Sequence, residues 1–265
     1  MADGVRAAMP VSLLAPIAVH YQPIVGLVTQ RMVGCEALSR WHTASGELCG
    51  PGAFIASIEN DFDLAVDLTS QVFHSVSREL GPFLGATRQF YVSINVPPIL
   101  LAERRLGELL EASNLLPFVS RIVFEITERQ ALDERGREAI RRGRKLGGRV
   151  ALDDFGTGQS GFRDLIGLEV DFIKLDHSYI EPLNRDPLTE RLVRAFAAFA
   201  AVLHVDLVAE GVETPDQAAF LRAVGVEKGQ GFLWSRALSA EELIARYQSE
   251  HASDNVPQTV VATPP

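Results

Sequence analysis

Acidic, amide and basic side chains close a series of apolar, β-branched runs, at places where a packed core would not put them. They are Glu36 with Arg40, Asn95, Glu125, Asp153 with Asp154, Lys174 with Asp176, Glu210 with Glu213, and Gln230. Any one of these acids alone is most simply solvated or paired with a nearby Lys or Arg, because unpaired acids are rarely buried. Gathered at one rim they would repel each other unless cations neutralise them. The donors are oxygens, with no Cys or His among them, which points to hard divalent cations rather than zinc. Paired hard cations clamp a phosphate, acidify a water and stabilise both the attacking and the leaving oxygen of an in-line displacement. Phosphodiester hydrolysis is the reaction class that suits such a set.

Something must bring these positions to one rim. Hydrophobic periodicity predicts strands over 18–25, 32–40, 90–96, 121–127, 148–153, 172–175, 205–210 and 226–230, with amphipathic helices over 64–80, 100–112, 134–146, 188–203 and 215–224. Alternating strands and helices over about 250 residues imply an α/β fold, a TIM-like (β/α)8 barrel, whose reacting groups sit at the C-terminal ends of the strands. Only residues 26–31 separate the first two strands. That is too short for a helical crossover, so they form an antiparallel hairpin. Side-chain alternation puts Glu36, Leu38 and Arg40 on one face and Cys35 on the other, and puts Lys174 and Asp176 on a shared face. Asp153 and Asp154 are adjacent and can reach one centre only if the strand ends there, which the Phe155-Gly156-Thr157-Gly158 turn would supply.

The composition fits one barrel-sized domain, with 265 residues of which 47% are hydrophobic. Net charge -9 argues against a general binder of duplex nucleic acid. Residues 1–19 are interrupted by Pro10 and Pro16 and are too weak for a signal peptide, and no run approaches the roughly 18 apolar residues of a membrane span. A cytoplasmic location without membrane insertion is the expectation. Cys35 and Cys49 lack metal-ligand spacing and read as reduced, structural thiols. Residues 1–15 read as an extension, 16–248 as the folded domain and 249–265 as a tail without order. Any sensory or cyclase partner is expected to lie elsewhere.

The motifs have a family likeness. Tyr21-Gln22-Pro23-Ile24-Val25 and Val33-Gly34-Cys35-Glu36-Ala37-Leu38-Ser39-Arg40-Trp41 resemble the opening of the EAL domain. Glu125-Ile126-Thr127-Glu128, Asp153-Asp154-Phe155-Gly156-Thr157-Gly158, Lys174-Leu175-Asp176, Ala209-Glu210-Gly211-Val212-Glu213 and Gln230-Gly231-Phe232 follow in the family's order and spacing. A lone Glu-Ala-Leu would mean nothing, whereas ordered blocks from about residue 17 to 247 are specific. The resemblance implies a bacterial signalling enzyme that hydrolyses cyclic di-GMP to linear pGpG with two Mg²⁺ or Mn²⁺ ions. It implies that Glu36, Asn95, Glu125 and Asp153 bind one ion, and that Asp153, Asp154 and Glu210 bind the second. Lys174 would hold or polarise the attacking water, and the general-base role would fall to the metal-bound water itself, already acidified and so the favoured reading, or to Glu210. Arg40 would contact a substrate phosphate, while Gln22, Leu38, Asp154 and Gln230 line the substrate groove. Glu128, Asp176 and Glu213 would orient the ligands or the loop after Asp154.

That loop, 155–161, is glycine-rich and reads as a lid near a dimer contact, which implies a homodimer and allows a regulatory protein partner. Pro97, Gly161, His177 and Ala237 depart from the family pattern, and none of them is a proposed ligand. Two other functions compete. A non-catalytic cyclic di-GMP receptor would lack some metal ligands, and an EAL-like protein-interaction module would have a degraded mouth; neither loss is visible.

Overall fold

The computed structural model describes residues 17–42, 48–49, 58, 61–97, 99–100, 105–131, 133–157 and 167–252. The expected extension at 1–15, the lid beyond Thr157 and most of the expected tail lie outside the described residues. Two apolar runs open the fold, β1 (Ile17–Gly26) and β2 (Met32–His42), paired antiparallel from Ile17↔Trp41 to Val25↔Met32. The turn between them is closed by Gln30, whose left-handed φ of 55° lets its N–H reach the Gly26 carbonyl at 2.8 Å.

From β2 the sheet continues in parallel through β4 (Tyr91–Asn95), β5 (Ile122–Thr127), β6 (Arg149–Phe155), β7 (Phe172–Leu175), β8 (Asp206–Ala209) and β9 (Lys228–Gly229). β9 then pairs antiparallel with β1 at Val25↔Gly229, which closes the barrel, and the short β3 (Leu48–Cys49) pairs antiparallel with the last two residues of β2. The helices around it are α1 (Phe62–Ala86), α2 (Arg105–Ala112), α3 (Glu128–Ala131), α4 (Glu134–Lys145), α5 (His177–Ile180), α6 (Pro187–Leu203), α7 (Pro215–Ala223) and α8 (Ala240–Glu250). Their starts are fixed by side chains that accept orphan N–H groups: Asp61 for α1, Asp133 for α4, Asp186 for α6, and capping boxes Thr214/Gln217 and Ser239/Glu242 for α7 and α8. No helix among the described residues is long and apolar enough to cross a membrane.

Two elements differ from the sequence reading. The expected domain end at 248 falls inside α8, which runs on to Glu250 because that carboxylate accepts the Met32 N–H at 2.8 Å and so belongs to the packed chain. The expected strand end at Asp153 is also displaced. β6 runs on to Phe155, and its pairing with β7 is broken between Leu152 and Phe155.

The barrel interior is layered. Ile24, Tyr91, Val123, Ala151, Phe172 and Val208 form an apolar plug at the end where the parallel strands begin. Room for the Tyr91 ring comes from Gly34 on the neighbouring strand, where a Cβ would lie 2.8 Å from ring carbons. Two residues further along the same strands the inward positions turn polar, since alternate residues share a face. Cys35 points outward into the helix-covered core and is fully buried as a free thiol.

Candidate active site

The polar layer is organised around one buried ammonium group. Lys174, near the end of β7, is 2% exposed, and its Nζ lies 2.7 Å from Glu210, 3.0 Å from Glu125, 3.1 Å from Asp153 and 3.3 Å from Glu36. Each acid comes from a different strand: Glu36 from the middle of β2, Glu125 and Asp153 from the later halves of β5 and β6, and Glu210 from just after β8. Barrel closure alone makes these distant positions neighbours.

Amides and a hydroxyl complete the contacts. Glu36 accepts from Asn95 Nδ2 at 2.9 Å and from Gln230 Nε2 at 2.8 Å, and Gln230 Nε2 also donates to Gln22 Oε1 at 3.0 Å. Ser93 Oγ donates to Glu125 Oε1. Sequence reasoning passed over Ser93, although it stands two residues before Asn95 on β4 and therefore faces the same way.

Asp154 joins the cluster by an unexpected route. It takes a left-handed φ of 55° at the break in β6, its own N–H bonds to Asp153 Oδ1 at 3.0 Å, and oxygens of Asp153, Asp154 and Glu210 lie within 4.8 Å of one another. A kink inside the strand, rather than the strand's end, aims two adjacent carboxylates at one centre. The following Gly156 is clamped from both sides: its N–H donates to Glu128 Oε2 at 2.8 Å, and its carbonyl accepts from Tyr179 Oη at 2.7 Å. Glu128 is buried at the start of α3, so that expected orienting group does touch the segment after Asp154. Asp176 instead caps α5 through Ser178 and bonds His177 at 3.1 Å. Glu213 is exposed at the edge of the site, its backbone N–H held by Gln217.

Arg40 and Leu38 lie further out on β2, both half-buried, with the Arg40 guanidinium donating to Ser39 O at 3.0 Å. Leu38 and Asn95 face a small, mostly apolar recess beside the acidic layer. An open cavity of about 630 Å³ lies over that layer, bordered by Gln22, Glu36, Asp153, Lys174, Glu210 and Phe232, whose ring is 52% exposed.

The electrostatics follow from one cation facing five carboxylates. Burial opposes the charge on Lys174, but Asp153, Glu125, Glu210 and Glu36 outweigh it and hold the ammonium well above the usual lysine range. Burial would raise Glu36, yet Lys174 and the Gln230 hydrogen bond bring it below its ordinary value. Glu125 goes the other way, pushed well up by burial and by Glu36 against the pull of Lys174. Burial, with Asp153 and Glu36, pushes Glu210 up to about 8, and burial with Asp153 raises Asp154. Glu125 Oε2 is buried without a hydrogen-bond partner. An unpartnered carboxylate oxygen in a ring of surplus acids is the environment that a hard cation neutralises, so the residues fit a metal site.

Comparison with known proteins agrees with this geometry. Residues 14–237 match the model of the EAL domain. The chain is 35% identical over 238 residues, 89% of its length and 45% of the relative, to the probable cyclic di-GMP phosphodiesterase PdeB of Escherichia coli K12. It spans less than half the length of that relative. Among solved structures it resembles the EAL enzyme Bd1971 bound to cAMP and cyclic di-GMP, with TM-score 0.80 and 28% identity over 88% of this chain and 65% of that one. It also resembles the PaMucR phosphodiesterase in complex with c-di-GMP, with TM-score 0.78 and 30% identity over 86% of this chain and 94% of that one. A closed barrel with an antiparallel hairpin, an acidic mouth gathered on one lysine and a match through most of its length place this chain in the EAL domain family.

Proposed function

We propose that this chain hydrolyses cyclic di-GMP to linear pGpG at the acidic mouth. The observation that carries the reading is Lys174 within 3.3 Å of Glu36, Glu125, Asp153 and Glu210, which keeps a full set of oxygen donors on one centre. The names of the curated relative and of the solved neighbours supply the substrate class.

In this reading Glu36, Asn95, Glu125 and Asp153 hold one divalent cation, Mg²⁺ or Mn²⁺, and Asp153, Asp154 and Glu210 hold a second. When bound, the ions supply charge that clamps the scissile phosphate and acidifies the attacking water. The chain's own groups do the rest. Lys174 donates N–H bonds that orient the water against the phosphate. Glu210, the carboxylate nearest to Lys174, is the group proposed to take up the water's proton. Arg40 meets a non-bridging phosphate oxygen with its planar fork. Gln230 Oε1, buried without a partner, offers an acceptor to a base N–H, and Gln22 holds the Gln230 amide in place from the other side. Leu38 supplies apolar wall. Glu128 fixes the segment after Asp154 through Gly156, while Asp176 and Glu213 shape the neighbouring loops.

The same reading includes a homodimer formed through α6 and a cytoplasmic site of action. Leu188, Leu192, Ala195, Phe199 and Val202 follow a four-three spacing along that helix, and Leu188, Leu192 and Val202 are 57%, 39% and 75% exposed. Apolar residues at that spacing on a solvent face are a helix-pairing seam.

The test is incubation of the purified chain with cyclic di-GMP and Mg²⁺ or Mn²⁺, with and without chelator, following pGpG by chromatography. Metal-dependent product that is lost in Glu36→Ala is the expected result. Binding of cyclic di-GMP without turnover under every metal condition would replace the enzyme by a receptor. Absence of both would leave a protein-interaction module.

A further inference from the structure

The other end of the barrel carries the opposite charge. Arg88 stands three residues before β4, Arg121 one residue before β5, and Arg149 is the first residue of β6. These strands are parallel neighbours, and the pairings Val92↔Ile122 and Val123↔Arg149 put their starts side by side. The arginines, with Gln89, Phe90 and Ser120, border an open depression of about 990 Å³. Arg121 Nη1 donates to the Thr87 carbonyl, which ties the turn before β5 to the chain beside Arg88. Arg149 reaches inward over the plug, its guanidinium carbon 4.8 Å from the centre of the Tyr91 ring and 5.3 Å from that of Phe172. Its Nε and the Tyr91 hydroxyl are both buried without a hydrogen-bond partner.

Guanidinium groups in a chain of net charge -9 have acids to choose from, and these three have chosen none. Asp171 and Asp206 are the carboxylates felt by Arg149, and both are engaged elsewhere. Asp171 takes Arg144 at 2.6 Å and the Val150 N–H at 2.9 Å, and Asp206 takes Lys228. No ion pair among the described residues includes Arg88, Arg121 or Arg149. Leaving a partly buried donor open is unfavourable, so a site that keeps one is suited to an acceptor that arrives from outside.

We propose that this depression, at the end of the barrel opposite the acidic mouth, binds a small solute carrying two linked phosphates. Three forked, permanently charged donors favour phosphate oxygens over a single carboxylate. Neighbouring strands are about 4.8 Å apart, so three adjacent strand starts span about 10 Å, wider than one phosphate and suited to a pyrophosphate group. Phe90 and Ser120 give the floor an apolar and a hydroxyl contact beside the charged ones. The site is separate from the cyclic di-GMP reading and does not depend on it.

Calorimetric titration of inorganic pyrophosphate into the whole chain tests the proposal, with chelator present so that no metal tethers the anion at the acidic mouth. Saturable binding is expected, weakening as salt is added. Arg88→Gln and Arg121→Gln should each weaken it roughly tenfold, the loss of one charge-assisted contact. Arg88 is exposed, so Arg88→Gln keeps the wild-type melting temperature; Arg121→Gln also gives up the bond to Thr87, so its affinity is read at a temperature where its melting curve shows it fully folded. Arg149→Lys, which keeps the charge and loses the fork, should weaken binding as well. Absence of saturable heat at millimolar pyrophosphate overturns the proposal, and so does unchanged affinity in the Arg88→Gln/Arg121→Gln double variant. Flotation with phosphatidic acid vesicles separates the sources of phosphate: retention on vesicles without a pyrophosphate response would assign the face to a lipid surface and overturn the solute.

Discussion

Lys174 keeps a charge inside the barrel because four carboxylates surround it, and those carboxylates keep theirs in part because of it. The dependence is mutual but unequal, since Glu125 and Glu210 are already raised while Lys174 is present. Replacing it by Met removes the ammonium that the described acids of the ring share and leaves buried acids facing each other. In chelator, Lys174→Met should therefore lose about 3 kcal/mol or more of stability, the scale of a buried ion pair deprived of one partner. Mg²⁺ or Mn²⁺ should restore most of the loss in the melting temperature, while turnover stays absent because nothing orients the water. Equal melting of variant and wild type in chelator would show that the lysine does not hold the acids together. At this scale the sequence was informative wherever an acid interrupts or closes an apolar strand, as at Glu36, Glu125 and Glu210. It was silent on Ser93, whose hydroxyl is unremarkable in composition and acquires meaning only when Glu125 is brought opposite.

Elements decide which of these residues meet. The kink that aims Asp154 beside Asp153 was not legible, because a strand break is set by how β6 and β7 pair, and pairing register is a long-range property. The helix α8 was legible in principle, since Ser239 and Glu242 form a capping box, but its apolar stripe is short and Leu243 is its one fully buried residue. Helix α6 was found, while its outward seam was not, because only burial separates the inward Val193, Phe196 and Ala197 from the exposed Leu188, Leu192 and Val202. If that seam pairs two chains, Leu192→Glu places a charge in the middle of the apolar contact and should convert dimer to monomer in analytical ultracentrifugation. Its melting temperature in dilute solution should fall only modestly, since Leu192 lies outside the buried core of the chain. A wild-type chain that sediments as a monomer at high concentration would remove the seam from consideration.

The whole barrel divides its interior between an apolar plug and a charged layer, and the two respond differently to conditions. The plug, with Tyr91 stacked on Phe172 at 5.4 Å, is indifferent to protons near neutral pH. The charged layer is not. Glu210 is raised from 4.5 to about 8 in the fold, so the unfolded chain gives up a proton that the folded chain retains across that interval. A carboxylate raised in this way costs nothing below pH 4.5, and its penalty grows as pH rises until it is complete above about 8. Glu125, raised in the same direction, adds to the trend. The charge gathering could be read in the sequence, but not this asymmetry between acids, because it comes from the depth at which closure leaves each one. The chain in chelator should thus melt at progressively lower temperature between pH 5 and pH 8. Divalent cations bind the deprotonated acids, so the rise in melting temperature that they give should be small at pH 5 and largest at pH 8. Glu210→Gln removes the titrating group, and it should flatten the chelated profile while reducing the cation's effect. A chelated melting temperature that climbs with pH over the same window would mean that the acids at the mouth are stabilised as anions without metal, and the argument for a cation-filled site would fail with it.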